Sequence, residues 1–309
     1  MRFAAFGRTR FLLDAITAAA EAGHQPVLVG TCRAEPFYGV DESEFEALAH
    51  HFGCPFFNDI KINAEPQLAA ASAANAEIAI SANWLTVIGP AMRSIFPLGI
   101  LNLHLGDLPR YRGNACPNWA ILAGEAQVVA TIHQMGGGID DGPWLVKEAL
   151  SLNEETYIGD IYRHFETRAP SLFLTAMEGL AAGTLVPQSQ SESGVVPLRC
   201  YPRRPEDGRI DWRAPAETIH RLVRASSRPL DGAFTSLEGG VKITVWRCDP
   251  VPHPEDFLAI PGQVLFARDG DPVVACGEGC LRLTEVEIKG GGGAEAKRSI
   301  LRSLRNRLM

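Results

Sequence analysis

The chain has 309 residues, 46% apolar and 21% charged, with a net charge of −7. Such proportions belong to an ordinary globular protein and exclude a disordered chain, which lacks the apolar surface to offset chain entropy. No apolar run approaches the ~18 residues that cross a bilayer, and the opening MRFAAFGRTRF has too short an apolar stretch for a signal peptide, so a cytoplasmic protein without membrane partners is expected.

In chain order, Arg2–Phe6 reads as a short buried strand stopped at Gly7, and Phe11–Ala22 as a helix stopped at Gly23. The turn Gly7-Arg8-Thr9-Arg10 between them lacks a phosphate-loop glycine pattern and reads as a tight turn. Pro26–Gly30 is a second strand, Phe45–Phe52 a helix, Cys54–Phe57 a third strand, Gln67–Asn75 a helix and Glu77–Ser81 a fourth strand. Ala91–Phe96 is a short helix and Gly99–Leu103 a fifth strand. Alternation of this kind predicts parallel strands joined by helical crossovers, because parallel neighbours need long connections.

Beyond it, Gln127–Gln134 and Pro143–Ala149 are strand-like and flank Gly136-Gly137-Gly138. Tyr157–Ala182 is a long amphipathic helix closed by Gly183. The polar Gln188–Gly194 marks a linker over 188–197, separating an α/β domain (1–187) from a β-rich one (198–309). In the latter, Ala216–Ser226 is a helix. Gly232–Leu237, Val241–Arg247, Gly262–Phe266, Val273–Ala275 and Leu281–Ile288 are short strands whose spacing predicts a small antiparallel barrel. A tail with Ile300, Leu301, Leu304 and Leu308 reads as an amphipathic helix. From Lys289 to the end it carries six Lys/Arg against one Glu on an otherwise acidic chain, a balance that disfavours a large phosphate-backbone footprint.

No Walker loop, dinucleotide fingerprint, nucleophile elbow or zinc-protease motif occurs. The seven cysteines are scattered; Cys276 and Cys280 lack a second pair for a zinc site, so no metal is expected and the thiols read as small buried groups. The segment Asn102-Leu-His104-Leu-Gly-Asp107-Leu-Pro109-Arg-Tyr111-Arg112-Gly113 follows an apolar strand directly. Open α/β sheets bind ligands at such carboxyl ends. Asn102 and His104 share one face of the strand. An amide that stabilises an oxyanion beside an imidazole that moves a proton suits acyl transfer, although a histidine there serves structure as readily. Asp140, in Gly136-Gly-Gly-Ile-Asp140-Asp141-Gly142, is either a loop carboxylate or the group that orients His104 and raises its pKa.

Together, Asn-x-His, Leu-Pro-x-Tyr-Arg-Gly and the later Asp-x-Gly loop resemble the folate-dependent formyltransferases, which include methionyl-tRNA, glycinamide ribonucleotide and sugar-nucleotide N-formyltransferases. The stretch Cys200-Tyr-Pro-Arg203-Arg204-Pro-Glu-Asp207-Gly208-Arg-Ile-Asp211-Trp212, with Arg224-Ala-Ser-Ser-Arg-Pro229, resembles the C-terminal region of that family, closest to its sugar-nucleotide branch. The resemblance implies a Rossmann-like parallel-sheet domain followed by an OB-like β-barrel. It also implies 10-formyltetrahydrofolate as formyl donor and Asn102, His104 and Asp140 as the catalytic set. Thr86, Val87, Ile88 and Asn114 fall at folate-contact positions, with Gly136, Gly137, Gly138 and Ile139 as the opposite wall.

Where the family usually has Ser-Leu, this chain has Gly106-Asp107. Gly106 is expected to loosen the turn. Asp107 is either a solvated carboxylate or a contact for the acceptor's ammonium group. Tyr111, Arg112, Arg203 and Arg204 are further substrate-binding candidates, the two last as phosphate ligands or salt-bridged surface groups. Trp119 either stacks on a base or sugar or, with Pro117–Leu122 as the start of a packed helix, lies in the core, the reading preferred. The expected acceptor is an amine on an amino-sugar nucleotide. Methionyl-tRNA is the alternative, a siderophore amine a third, and formyltetrahydrofolate hydrolysis or simple ligand binding a different class of reading. The resemblance leaves room for a homodimer.

Overall fold

A computed structural model describes residues 1–253 and 256–309. Contacts group the chain into two units: Met1–Cys116, Gln127–Ser151 and Tyr162–Cys200 form the first, and Pro117–Ala126, Leu152–Ile161 and Tyr201–Met309 the second.

The first stretch runs β1 (Arg2–Gly7), α1 (Arg10–Glu21), β2 (Gln25–Thr31), α2 (Glu42–His51), β3 (Phe56–Asn58), α3 (Glu65–Ala74), β4 (Ile78–Ala82), α4 (Pro90–Arg93) and β5 (Ile100–His104). The Asp41 carboxylate caps α2 by accepting from the Ser43 and Glu44 amides, while Glu44 reaches back to the Asp41 amide. β6 (Arg112–Gly113), α5 (Cys116–Ala123), β7 (Gln127–Gln134), β8 (Trp144–Ser151), α6 (Ile158–Ala181) and β9 (Arg199–Cys200) follow. The main sheet has the order β3-β2-β1-β4-β5-β7-β8. Pairing is parallel from β3 to β5 and antiparallel from β5 to β8. The sheet is therefore mixed: the short β7–β8 connection permits only a hairpin. Phe6, Leu28, Ala79, Met92, Phe96 and Ile100 form one of its cores.

The polar stretch expected to link two domains does not hang free. Gln188 pairs with Trp144, and the buried Gln190 is bound to the first unit's loops.

In the second unit, α7 (Ala216–Ser226) and α8 (Gly292–Leu301) pack with β10 (Ala233–Ser236), β11 (Lys242–Val251), β12 (Val264–Arg268), β13 (Asp271–Ala275) and β14 (Cys280–Ile288). The strands form one antiparallel sheet, β10-β11-β14-β13-β12, over a core that includes Trp212, Ile219, Val223, Val245, Leu281 and Leu283. The expected terminal helix ends early. Beyond Leu301 the chain turns, Leu304 is exposed, and Arg307 and Leu308 pair with Gln263 and Leu237 beside the two edge strands. This strap joins β10 to β12, giving the sheet the barrel-like closure that the strand spacing implied.

Candidate active site

Register across β4, β5 and β7 assembles the site. Ser81 pairs with Asn102, and Asn102 lies opposite His133 of β7. Residues directly opposite one another, and those two apart on a strand, share a face. Asn102, His104 and His133 therefore stand together. The Asn102 side-chain nitrogen is 3.1 Å from His133 Nε2, and His133 Nδ1 donates to the Gln134 carbonyl at 2.9 Å. The His104 and His133 rings stand perpendicular at 6.2 Å between centroids.

The β7–β8 loop returns Asp140 to this face. Its carboxylate sits 3.6 Å from His104 Nδ1 and 3.5 Å from His133 Nε2, and accepts the Gly113 amide at 2.8 Å. Asp140 holds a left-handed φ of 52°, which a short polar side chain tolerates. Gln190 fixes the loop from behind: its side-chain amide donates to the Asp140 and Gly142 carbonyls at 2.8 and 2.6 Å. Its oxygen accepts from Arg112 Nε at 2.9 Å. On the other side, the Arg93 guanidinium holds the Gly136 carbonyl.

His104 Nε2 donates to the Tyr111 carbonyl at 2.6 Å. Tyr111 turns that carbonyl inward with a φ of 57°. Gly106 is what lets it approach: a Cβ there would collide with the carbonyl and come within 2.5 Å of His104 Nε2. The expectation that Gly106 loosens the turn is thus corrected; it makes room for a close contact, and its own carbonyl accepts from Thr131.

Burial pushes the His104 pKa below its ordinary value, outweighing the opposite pull of Asp140. The expected upward shift is not what results, because the imidazole is almost wholly removed from water. Asp140 is held well below the usual carboxylate range; its burial is outweighed by the two histidines and the Gly113 amide. At neutral pH the site is a carboxylate beside a neutral imidazole. A proton arriving on Nδ1 would give an imidazolium with an acceptor at each nitrogen.

Other candidates lie as follows. In the loop 83–89, Leu85 and Val87 are exposed, while Ile88 is buried. Thr86 is tied to Ile60 and Trp84, and Asn63 clamps the Val87 carbonyl and the Gly89 amide. Gly137, Gly138 and Ile139 are exposed, Gly136 half-buried, and Asn114 exposed with its amide on the Cys200 carbonyl. Asp107 is paired with Lys147 at 2.7 Å, and its side chain stays 45% exposed. Tyr111 is buried, and Arg112 is engaged by Gln190, so both support the site from within. Arg203 and Arg204 belong to the second unit. There Arg203 lies over the Trp119 ring and bonds the Asp207 carbonyl, and the Arg204 amide bonds the Asp207 carboxylate. Trp119 itself is more than one-third exposed rather than core, its Nε1 donating to the Tyr201 carbonyl.

His133 and Gln190 are the residues that sequence reasoning missed. A histidine within an apolar strand and a glutamine in a polar stretch carry no local signal.

The formyl transferase family model matches residues 1–177, and the model for the formyl transferase C-terminal domain matches residues 203–302. The chain is 32% identical over 295 residues to the methionyl-tRNA formyltransferase of Thiobacillus denitrificans, covering 94% of this chain and 93% of that protein. It is 29% identical to that of Parvibaculum lavamentivorans, covering 98% and 96%. Two solved structures share the fold. HypX from Aquifex aeolicus in complex with tetrahydrofolic acid superposes with a TM-score of 0.64 at 18% identity, covering 97% of this chain and 47% of HypX. The N-formyltransferase from Helicobacter canadensis with folinic acid and dTDP-3-aminofucose gives 0.64 at 14% identity, covering 91% and 98%.

Proposed function

The chain belongs to the formyl transferase family, with 10-formyltetrahydrofolate as formyl donor, and on that premise we propose that it formylates the primary amine of an amino-sugar nucleotide. The observation that carries the chemistry is the contact chain Asn102–His133–Asp140–His104 at 3.1, 3.5 and 3.6 Å.

The residues fit the donor. The exposed apolar side chains Leu85, Val87 and Ile139 suit a flat heteroaromatic ring, and Thr86, Val87, Ile88, Asn114 and Gly136–Ile139 would hold it. When bound, the donor supplies an electrophilic formyl carbon. His104, neutral at rest, takes a proton from the attacking amine on Nδ1. Asp140 is the counter-ion that stabilises the resulting imidazolium, and the Tyr111 carbonyl fixes the ring through Nε2. The Asn102 amide, held by His133, would be a hydrogen-bond donor for an oxygen that gains negative charge during transfer. A cytoplasmic location goes with this reading; no described helix is long and apolar enough to cross a membrane.

The nucleotide-linked acceptor rests on charge. The chain as a whole is acidic, with a net charge of −7, whereas an RNA backbone calls for a large surface of clustered cations. The names of the full-length relatives favour a second acceptor, methionyl-tRNA. Formyl-transfer assays with UDP-, dTDP- and GDP-linked amino sugars and with methionyl-tRNA separate the two. Turnover with one nucleotide sugar at least about tenfold above tRNA in kcat/KM is expected; the reverse order overturns the assignment.

A further inference from the structure

The turn that follows the strand carrying His104 is held from across the sheet. His104 pairs with Thr131 of β7, and Thr131 pairs with Lys147 of β8. Directly opposite residues share a face, so imidazole, hydroxyl and ammonium stand in one row, all within the first unit. The neighbouring row is Asn102, His133 and Trp144, and Lys147 Nζ lies 5.0 Å from the centre of the Trp144 ring.

The two outer members of the row grip the turn at different points. Thr131, fully buried, donates its hydroxyl to the Gly106 carbonyl at 2.7 Å. Lys147 Nζ donates to the Asp107 carboxylate at 2.7 Å and to the Leu108 carbonyl. The Gly106 carbonyl also accepts the Leu108 amide at 3.0 Å, so both side chains act on one tight loop. Just beyond that loop the backbone brings the Tyr111 carbonyl to His104 Nε2 at 2.6 Å. Neither the proton transfer nor the folate wall gives Lys147 a task.

We propose that Lys147, with Asp107 as its counter-charge, is a positioning residue that pins the turn 106–108 and thereby sets the Tyr111 carbonyl against His104. An ammonium carries three donors on one nitrogen, so a single side chain can bind a carboxylate and a carbonyl at once. The Asp107 side chain is 45% exposed and that of Lys147 25%, and a pair so open to solvent adds little to stability. Its contribution is direction. Asp107 draws the ammonium to the turn, where the same nitrogen binds the Leu108 carbonyl, and the Trp144 ring bounds the lysine stem from the side. Gly106 and Asp107 thus act together: the first admits the Tyr111 carbonyl, and the second anchors the lysine that keeps the loop in place.

The inference rests on the formyl-transfer reading for its rate measurements alone, because the state of the ring can be read separately. With 15N-labelled histidine, the His104 Nε2 proton is observed by NMR and assigned by its absence in His104→Gln. Wild type is compared with Lys147→Met, which removes the ammonium, and with Lys147→Arg, which keeps a cation. In Lys147→Met the Nε2 proton signal is expected to shift and to exchange faster. There kcat falls about tenfold while KM for the folate changes less than about twofold. Lys147→Arg is expected to return the signal towards its wild-type position and to recover most of kcat. An unmoved signal in folded Lys147→Met overturns the proposal, and so does a loss that Lys147→Arg does not relieve. Should Lys147→Met fail to fold, Asp107→Asn, at the exposed end of the pair, is read the same way: a shifted signal is expected, and an unmoved one overturns the proposal. A shifted signal in a protein that formylates none of the amines supports the positioning role and overturns the functional reading instead.

Discussion

A methyl group at position 106 would meet the Tyr111 carbonyl and the His104 ring together. Gly106→Ala is therefore expected to lower kcat by about tenfold or more, through misplacement of the imidazole, while KM for the folate changes little; an unchanged kcat would show that the Tyr111 contact does not orient the base. The proton inventory gives a second expectation. His104 is neutral at rest because burial depresses its pKa, and Asp140 stays ionised. Activity requires the unprotonated ring, so kcat/KM holds as pH falls past the ordinary histidine value of about 6.5 and declines only below it. An acid limb centred above 6.5 would contradict the burial argument. The spacing of Asn102 and His104 puts them on one strand face; Asp140 is singled out from Asp141 by the family resemblance, and the structure brings it to His104. His133 was not legible in the sequence, since only the β5–β7 register places it opposite Asn102.

Loops rather than strands decide how well Asp140 is held. Gln190 ties the β7–β8 loop to Arg112, and Arg93 grips its other end. Gln190→Ala leaves the buried Asp140 and Gly142 carbonyls and the Arg112 guanidinium short of partners, at about 1–3 kcal/mol for each unsatisfied group. It is expected to lower both the melting temperature and kcat, read by thermal unfolding and initial rates; wild-type values in both would show the polar stretch to be incidental. Most elements were legible from their spacing: Ala216–Ser226 was expected at the bounds that α7 takes. The tail was not. Ile300, Leu301, Leu304 and Leu308 have helical spacing, yet Leu308 is buried through pairing with Leu237, a long-range partner that no local pattern announces.

At the scale of the molecule, the chain makes two short excursions into its second unit, Pro117–Ala126 and Leu152–Ile161, before entering it for good at Tyr201. Composition along the chain shows one change of texture, at the polar stretch after α6, because short excursions leave no compositional mark. The candidate site lies within the first unit, on β5, β7 and the β7–β8 loop. The most direct measurement is the rate of formyl transfer from 10-formyltetrahydrofolate by wild type, His104→Ala and Asp140→Asn, with folding checked by circular dichroism. Loss of at least about 10²-fold in both folded variants is predicted, the scale on which general-base catalysis contributes. Folded variants that transfer formyl at the wild-type rate would contradict the account.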